Sequence, residues 1–243
     1  MQIIKLDATP STNSYLKELS TQKVLKDFTI ITTQNQTLGR GQLNAKWESD
    51  AGKNLAFSIL KKEIDVSINK AFLISMSVSL AILEGLKELG VPDLKIKWPN
   101  DILSGNSKIG GILIENIISG SQIKRSIIGF GLNVNQKVFK NAPHAASLNT
   151  IVGRNYDLDK VFYLLIEKLH YQLQKPILAV ESELFARYHS HLFKKGEACT
   201  FTTQDNSQLK GVIVGVTING TLNLKLENGD FQEFGLKKIQ LQY

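Results

Sequence analysis

Residues 96–115, IKWPNDILSGNSKIGGILIE, constrain the fold more than any other stretch of the chain. The apolar runs at residues 96–98 and 109–114 predict two strands, and the Ser-Gly-Asn-Ser at residues 104–107 is typical of a turn. Together they predict an antiparallel hairpin within a sheet. Because a tight hairpin needs only two loop residues, the Trp-Pro-Asn-Asp segment and the lysine beside two glycines point to chemistry as well as to folding.

The remaining residues up to about 190 alternate between short strands and helices. Further strands are predicted at residues 3–6, 28–33, 54–60 and 126–134. Helices are predicted from residues 9–13 to about 19, over 71–89, from Asp157 to about 173, and after Pro176 to about 192. Several strands follow one another as hairpins, so the pattern predicts an α+β fold with a mixed β-sheet flanked by helices, and not a βαβ series.

The residue pattern of the sequence changes near Lys194. From Gly196 onward, short β-runs are separated by Asn219-Gly220 and Asn228-Gly229, which are signals of type I′ hairpin turns. This meander predicts a small C-terminal β-barrel. We therefore predict a main domain over residues 1–190 and a barrel domain over residues 191–243.

The composition of the 243 residues predicts a packed protein from a reducing compartment. Apolar residues make up 42% and charged residues 21%, which argues against disorder. Cys199 is the single cysteine, so no internal disulfide can form. The first residues lack a basic region followed by an apolar core, and the apolar run at 71–83 contains three serines and is too short to span a bilayer. We expect a cytoplasmic protein with no membrane association.

The net charge of +7, from 29 Lys+Arg against 22 Asp+Glu, suits an anionic partner. A nucleotide, an acidic protein surface and nucleic acid all meet that description. The basic residues are scattered and form no run of five or more, so we expect no specific nucleic-acid binding.

Two stretches near the N-terminus carry polar side chains at predicted strand and helix ends. Residues 11–13, Ser-Thr-Asn, offer three hydrogen-bonding side chains at a helix start, where ordinary capping is a sufficient explanation for any one of them. In residues 39–42, Gly-Arg-Gly-Gln, glycine lets the backbone approach an anion and Arg40 adds bidentate donors. A flexible loop with a solvated arginine explains the second stretch equally well.

Two further stretches are unusual for a plain core. A buried Trp98 before Pro99 would hold the chain extended and so position Asn100 and Asp101. Lys108 enters a strand that contains two adjacent glycines, which weaken a strand without local benefit. The Gly-Phe-Gly-Leu-Asn at residues 129–133 fails as a dinucleotide fingerprint, because no helix follows it directly, but suits a bare strand surface under a flat ligand.

The order and spacing of these stretches resemble the biotin protein ligases. The resemblance covers residues 3–135, through Ser-Thr-Asn, Gln-x-x-Gly-Arg-Gly, Lys-Trp-Pro-Asn-Asp, Lys-Ile-Gly-Gly-Ile-Leu-Ile-Glu and Gly-x-Gly-x-Asn-Val. It implies a mixed sheet related to class II aminoacyl-tRNA synthetases, with a small C-terminal barrel like Src-homology-3 domains. It also implies an adenylate-forming ligase that condenses biotin with MgATP. The biotin then passes to a lysine of a biotin carboxyl-carrier protein or domain, such as that of acetyl-CoA carboxylase.

The resemblance also implies roles for individual residues. Lys108 and Arg40 would act in catalysis, with Lys108 reaching the biotin carboxylate and the α-phosphate. Biotin would be bound by Ser11, Thr12, Asn13, Gln36, Gly39, Arg40, Gly41, Gln42, Lys108, Gly110, Gly111, Gly129 and Gly131. The nucleotide would be bound by Arg40, Trp47, Asn100, Asp101, Lys108 and Asn133. Mg²⁺ would be carried mainly by the ATP phosphates, near Asp101.

Two departures from the family pattern affect what is expected. Where many relatives read Gly-Arg-Gly-Arg-x-Gly-Arg, residues 39–45 read Gly-Arg-Gly-Gln-Leu-Asn-Ala, so two arginines and one glycine are missing. We expect weaker retention of the adenylate. The sequence starts at the catalytic strand, so regulation through an N-terminal winged-helix DNA-binding domain is not expected.

Two other functions remain open at this point. A lipoate or octanoate protein ligase would share the fold, but those relatives lack Lys-Trp-Pro-Asn-Asp, and polar residues such as Ser11, Thr12 and Gln36 suit a ureido ring better than a dithiolane. A non-catalytic nucleotide- or nucleic-acid-binding module would fit the charge but leave Lys108 and the glycines unexplained. The sequence also leaves open whether the chain forms a homodimer.

Overall fold

The protein, analysed as a computed structural model that describes residues 1–42 and 45–243, is organised around a seven-stranded mixed sheet. The strand order is β1-β2-β3-β7-β6-β5-β4, with β1 and β2 parallel and the other neighbours antiparallel. The strands are β1 (Gln2–Thr9), β2 (Thr29–Gln36), β3 (Leu55–Ser67), β4 (Leu94–Lys97), β5 (Asp101–Ser104), β6 (Ser107–Ser119) and β7 (Gln122–Leu132). The predicted α+β fold with a mixed sheet is confirmed.

Helices cover the sheet. They are α1 (Thr12–Gln22), α2 (Phe72–Glu88), α3 (Leu148–Val152), α4 (Leu158–Leu173) and α5 (Glu181–His191), with 3₁₀ turns at Ile68–Lys70 and Ile177–Val180. Two predicted caps are confirmed: Ser11 accepts a hydrogen bond from the Ser14 amide at α1, and Asp157 accepts one from the Lys160 amide at α4. Such caps satisfy amide groups that have no partner within the helix.

The 96–115 segment contains three strands where two were predicted. Residues 101–104 form β5, which turns into β6 through Gly105-Asn106, with Gly105 at a left-handed φ of 58°. The central residues of β5, Ile102 and Leu103, are completely buried. Residues 101–104 were predicted to belong to the loop between the two strands, because their apolar run is short and lies between Pro99 and polar residues.

Helix α2 is the most buried helix of the fold. The segment Ile68–Glu88 has 21 residues and is, by length and composition, apolar enough to cross a membrane, which corrects the expectation that this run is too short. In the fold, α2 packs against α4, α5 and the sheet. A side chain on Gly85 would meet Leu165 of α4 at 2.7 Å, so the two helices approach closely there. Burial on several sides accounts for the apolar character of this helix.

The C-terminal residues form a separate antiparallel sheet in the order β11-β10-β9-β8-β12. Its strands are β8 (Ala198–Thr203), β9 (Gln208–Val216), β10 (Leu222–Leu226), β11 (Phe231–Phe234) and β12 (Ile239–Leu241). Both Asn-Gly hairpins form. A type I′ turn needs positive φ at both central residues, but here the glycines, Gly220 and Gly229, have positive φ and the asparagines do not, so the predicted type I′ turns are wrong. The loops have more than two residues, and such loops place only their last residue in the left-handed region. The division at residue 191 stays a prediction.

The two sheets meet at Trp98. Its Nε1 donates to the Gly220 carbonyl at 2.9 Å, and the Phe193 amide donates to the Ile96 carbonyl at 2.9 Å. Trp98 is half-buried, not fully buried as predicted. The Trp98–Pro99 peptide bond is cis. The hydrogen bonds at Ile96 and Trp98 hold the segment that leads to Asn100 and Asp101.

Candidate active site

A cavity of about 200 Å³ lies beside the N-terminus of α1, against β6 and β7. It brings together residues that are far apart in the chain. The predicted site residues that line it are Ser11, Thr12, Asn13, Gln36, Arg40, Gly41, Gln42, Trp47, Asn100, Asp101, Lys108, Gly111, Gly129 and Gly131. Gly39, Gly110 and Asn133 are not among them.

Hydrogen bonds hold the start of α1 against the sheet. The Thr12 amide donates to Gln36 Oε1 at 3.0 Å, and the Thr12 hydroxyl lies 3.3 Å from the same oxygen. Ser58 Oγ, in β3, lies 2.7 Å from Thr12 Oγ1. Ser11, Thr12 and Gln36 therefore present fixed polar groups at one end of the cavity.

Asn13 uses its whole amide group within the protein. Its Oδ1 accepts from Ser58 Oγ at 2.6 Å, and its Nδ2 donates to the Leu113 carbonyl at 3.2 Å and to Glu115 Oε2 at 2.9 Å. The side chain is buried over Gly129, where an added Cβ would lie 2.2 Å from Asn13 Oδ1. Asn13 thus shapes the site, and Gly129 provides the space for it.

Ser58 and Glu115 contribute to the site although the sequence did not single them out. Ser58 is a completely buried hydroxyl in a strand whose neighbours are apolar, and that polar interruption was the available signal. Glu115 lies at the end of the Lys-Ile-Gly-Gly-Ile-Leu-Ile-Glu run, where its carboxylate contacts Asn13 and Arg40. Sequence spacing cannot reveal such contacts between separate elements.

Arg40 is held against α1 and β6. Its Nη1 donates to Ser14 Oγ at 3.0 Å, and its Nη2 lies 3.2 Å from Glu115 Oε1. The side chain remains about half exposed, with 48% of its surface accessible. The guanidinium is therefore anchored at the rim of the cavity by a carboxylate and a hydroxyl, and the rest of it faces solvent.

Lys108 is paired with Asp101 in the floor of the cavity. Lys108 Nζ lies 2.6 Å from Asp101 Oδ1, and Lys97 Nζ lies 3.6 Å from Asp101 Oδ2. Burial lowers the pKa of the Lys97 ammonium; Asp101 partly counteracts this, and the charge on Lys108 lowers it further. Two ammonium groups thus share one carboxylate that is only 13% exposed.

The glycines in β6 and β7 have two different functions. An added Cβ on Gly131 would lie 2.6 Å from Trp47 Cε2, and one on Gly111 would lie 3.2 Å from Trp47 Cζ3. An added Cβ on Gly110 would instead meet the Phe130 ring at 3.0 Å. Because side chains alternate along a strand, Gly110 faces the opposite side from the cavity. The prediction that it leaves space for a ligand is therefore not supported by its position.

A second groove, of about 890 Å³, lies on the other side of the Trp47 indole. Arg40, Trp47 and Lys108 line both the groove and the first cavity, whereas Gly39 and Asn133 line only the groove. Asn133 Nδ2 donates to the Ala146 carbonyl at 3.0 Å, and its buried Oδ1 has no partner among the described residues. The predicted site residues therefore form two compartments that meet at Lys108 and Trp47.

The residues that the structure describes contain no cluster of three or more His, Cys, Asp or Glu side chains suited to a metal ion. Asp101 is the one carboxylate among the residues that line the first cavity. Mg²⁺ commonly uses one or two carboxylates together with substrate phosphates. The site therefore fits a magnesium ion that arrives with a nucleotide and does not fit a resident metal.

Replacing Gly129 by alanine tests the packing under Asn13. The new methyl group must displace the Asn13 amide, so we expect the fold to lose roughly 1–3 kcal/mol and several degrees of melting temperature. Gly235→Ala is the matched control, because an added Cβ there has open space and no strained φ. Equal melting temperatures for the two variants, measured by calorimetry, would contradict this description of Asn13.

Comparisons with curated proteins find ligases. The chain is 31% identical over 135 residues to the bifunctional ligase/repressor BirA of Bacillus subtilis, a match that covers 56% of this chain and 41% of that protein. It is 29% identical over 164 residues to the biotin–acetyl-CoA-carboxylase ligase of Mycobacterium tuberculosis, covering 66% of this chain and 60% of that protein. The chain thus spans about two fifths to three fifths of the length of these relatives.

Solved structures resemble the fold over nearly its whole length. Biotin protein ligase from Aquifex aeolicus in complex with biotin and ATP superimposes with a TM-score of 0.82 at 26% identity, covering 99% of this chain and 98% of that one. The sequence model of the Biotin/lipoate A/B protein ligase family matches residues 6–133, which make up more than half of the chain. The matched range includes the strands that line the first cavity. The chain therefore belongs to the Biotin/lipoate A/B protein ligase family.

Proposed function

We propose that this protein is an ATP-dependent biotin protein ligase. Biotin and ATP form biotinyl-5′-AMP and pyrophosphate, and the biotinyl group is then transferred to a lysine of a biotin carboxyl-carrier protein. The observation that carries the proposal is the position of Lys108, which lines both compartments. A carboxylate bound in the first cavity and a phosphate bound in the groove would meet at this ammonium group.

The proposed adenylation reaction explains why several cations line the site. Adenylation requires one anion, a carboxylate, to attack another, the α-phosphate, so charge repulsion is a large part of the barrier. Fixed positive groups lower such a barrier, because they are already oriented before the charges meet. Lys108 lines both compartments, and Arg40 stands at the rim of the first cavity. Magnesium bound to the phosphates near Asp101 would supply further positive charge.

The first cavity has the polar groups that a ureido ring needs. Ser11, Thr12 and Gln36 are held in place by hydrogen bonds to the backbone and to one another. A ureido group has both donors and acceptors, whereas a dithiolane has neither N–H nor C=O groups. A pocket with fixed polar groups rejects a ligand that leaves them unpaired. This favours biotin over lipoate, although the family includes ligases of both kinds.

The relatives support the same assignment. The Mycobacterium protein is named for biotin transfer to acetyl-CoA carboxylase, and the Aquifex structure contains biotin and ATP. By this similarity we propose a biotin carboxyl-carrier domain as the protein substrate and Asn133 as a nucleotide ligand in the groove. We further propose a cytoplasmic location and no sequence-specific nucleic-acid binding. Whether the ligase acts as a homodimer stays open.

Release of pyrophosphate tests the proposed function. We expect release that requires both biotin and ATP, and labelling of a carrier domain when one is added. Lipoate should not replace biotin, because its dithiolane offers no hydrogen-bonding partner to the polar groups around Thr12. Comparable pyrophosphate release with lipoate would favour a lipoate ligase, and no release with either acid would favour a non-catalytic binding module.

Lys108→Ala tests the central cation. Losing one preorganised charge partner typically costs ~10²-fold in rate, so adenylate formation should fall by about that factor. The melting temperature should stay near that of the wild type, since the Lys108 side chain is about one-third exposed (33%). Single-turnover formation of labelled biotinyl-adenylate is the measurement. An unchanged rate would remove Lys108 from the mechanism.

Gln42→Arg tests the altered loop. Gln42 lines the first cavity and brings no charge, and charge-assisted hydrogen bonds are roughly twice as strong as neutral ones. An arginine at this position should slow the escape of biotinyl-adenylate, measured as dissociation of the labelled intermediate without carrier protein. Release as fast as in the wild type would mean that Lys108, Arg40 and the backbone already hold the phosphate.

A further inference from the structure

A third basic residue, Lys97, belongs to the charge cluster around Asp101. Lys97 ends β4 and faces Asp101 across the β4–β5 pair, where the two residues are register partners. Its Nζ lies 3.6 Å from Asp101 Oδ2, on the oxygen that Lys108 does not use. Lys97 is the first residue of the Lys-Trp-Pro-Asn-Asp run and is not among the predicted site residues.

The surroundings of Lys97 are unusual for a lysine. Only 18% of its side chain is exposed, and its ammonium group lies 5.0 Å from the centre of the Tyr243 ring. The nearby titratable groups are Asp101, Lys108 and Tyr243. Two ammonium groups and one carboxylate leave an excess positive charge in a half-buried place, which is costly unless an anion is to be bound there.

The pairing of Lys108 with Asp101 poses a problem for the proposed reaction. At 2.6 Å, the ammonium is held by a carboxylate that competes with the incoming carboxylate and phosphate. If Lys108 moved to the ligand, Asp101 would lose its closest partner and would face the phosphates with only the longer ion pair to Lys97. Lys97 is already within 4 Å of the other oxygen, so a rotation of its side chain could restore the pair without backbone movement.

We propose that Lys97 is a positioning residue that takes over Asp101 when Lys108 turns to the ligand. This inference rests on the proposed adenylation and goes beyond it by assigning the residue that releases Lys108. In this structure the two lysines share Asp101. In the reacting state Lys97 keeps the carboxylate neutralised, so that Lys108 contributes its full charge to the meeting carboxylate and phosphate.

Lys97→Met removes the charge and keeps an apolar stem beside Tyr243. The rate of adenylate formation at saturating biotin and ATP should fall roughly tenfold, which corresponds to ~1.4 kcal/mol. Lys97→Arg should restore most of that rate, because it returns a cation to Asp101. Lys95→Met is the matched control: it removes the same charge from the same strand, at an exposed position whose register partner is Leu103 and not Asp101. Its rate should equal that of the wild type.

A double-mutant cycle with Asp101→Asn separates positioning from direct contact. If Lys97 acts through Asp101, Lys97→Met should cost much less in the Asp101→Asn background than in the wild type. Equal costs in both backgrounds would overturn the proposal, since Lys97 would then act on the ligand directly or on the fold. Melting temperatures are measured for all variants, and Lys97→Gln replaces Lys97→Met if the latter is destabilised.

The outcome also distinguishes this inference from the proposed function. If the wild type forms no biotinyl-adenylate, the proposed function itself fails. If the wild type is active and Lys97→Met is as active as Lys95→Met, the proposed function stands and only the role of Lys97 is overturned. A tenfold loss that appears in the Michaelis constant for ATP and disappears at saturation would also overturn it, because the released Lys108 is needed in the reacting state.

Discussion

The hydrogen bonds of the Asn13 amide are the interaction on which the rest of the site depends. They join the start of α1 to β3 through Ser58 and to β6 through Leu113 and Glu115. A buried amide with an unpaired donor or acceptor is costly, so these partners define the position of the helix closely. The same Glu115 carboxylate also holds Arg40. One buried polar group thus sets the position of the helix N-terminus, the strand that carries Lys108 and the arginine of the loop.

Three cations in and beside the site pair with carboxylates. Arg40 pairs with Glu115, while Lys108 and Lys97 share Asp101. Pairs of this kind contribute little to stability when they are exposed, but they hold charged side chains in one orientation. An anionic ligand then meets groups that are already placed. This arrangement also has a cost. When an anionic ligand binds, it competes with Glu115 or Asp101 for each of these three cations.

The Trp47 indole gives the glycines of β6 and β7 a concrete purpose. Gly111 and Gly131 leave room for the ring, which separates the first cavity from the groove. A ring that lies directly on strand backbone needs positions without Cβ atoms on that face of the sheet. Gly110, on the other face, has an unrelated function in packing against Phe130. Adjacent glycines in a strand therefore cannot be assigned to one site from their spacing alone.

The order of the residues was enough to predict the mixed sheet, the helix starts at residues 9–13 and at Asp157, and the apolar helix α2, whereas most of the residues around the cavity were implied by the resemblance to biotin protein ligases. Hydrophobic periodicity and capping chemistry are local, so they survive in the order of the residues. The three-dimensional arrangement was needed to show that residues 101–104 form a strand, that Gly110 faces away from the cavity, and that Ser58, Glu115 and Lys97 contact predicted site residues. These outcomes depend on which face of a strand is covered and on contacts between residues far apart in the chain. Neither is encoded in a single stretch of sequence.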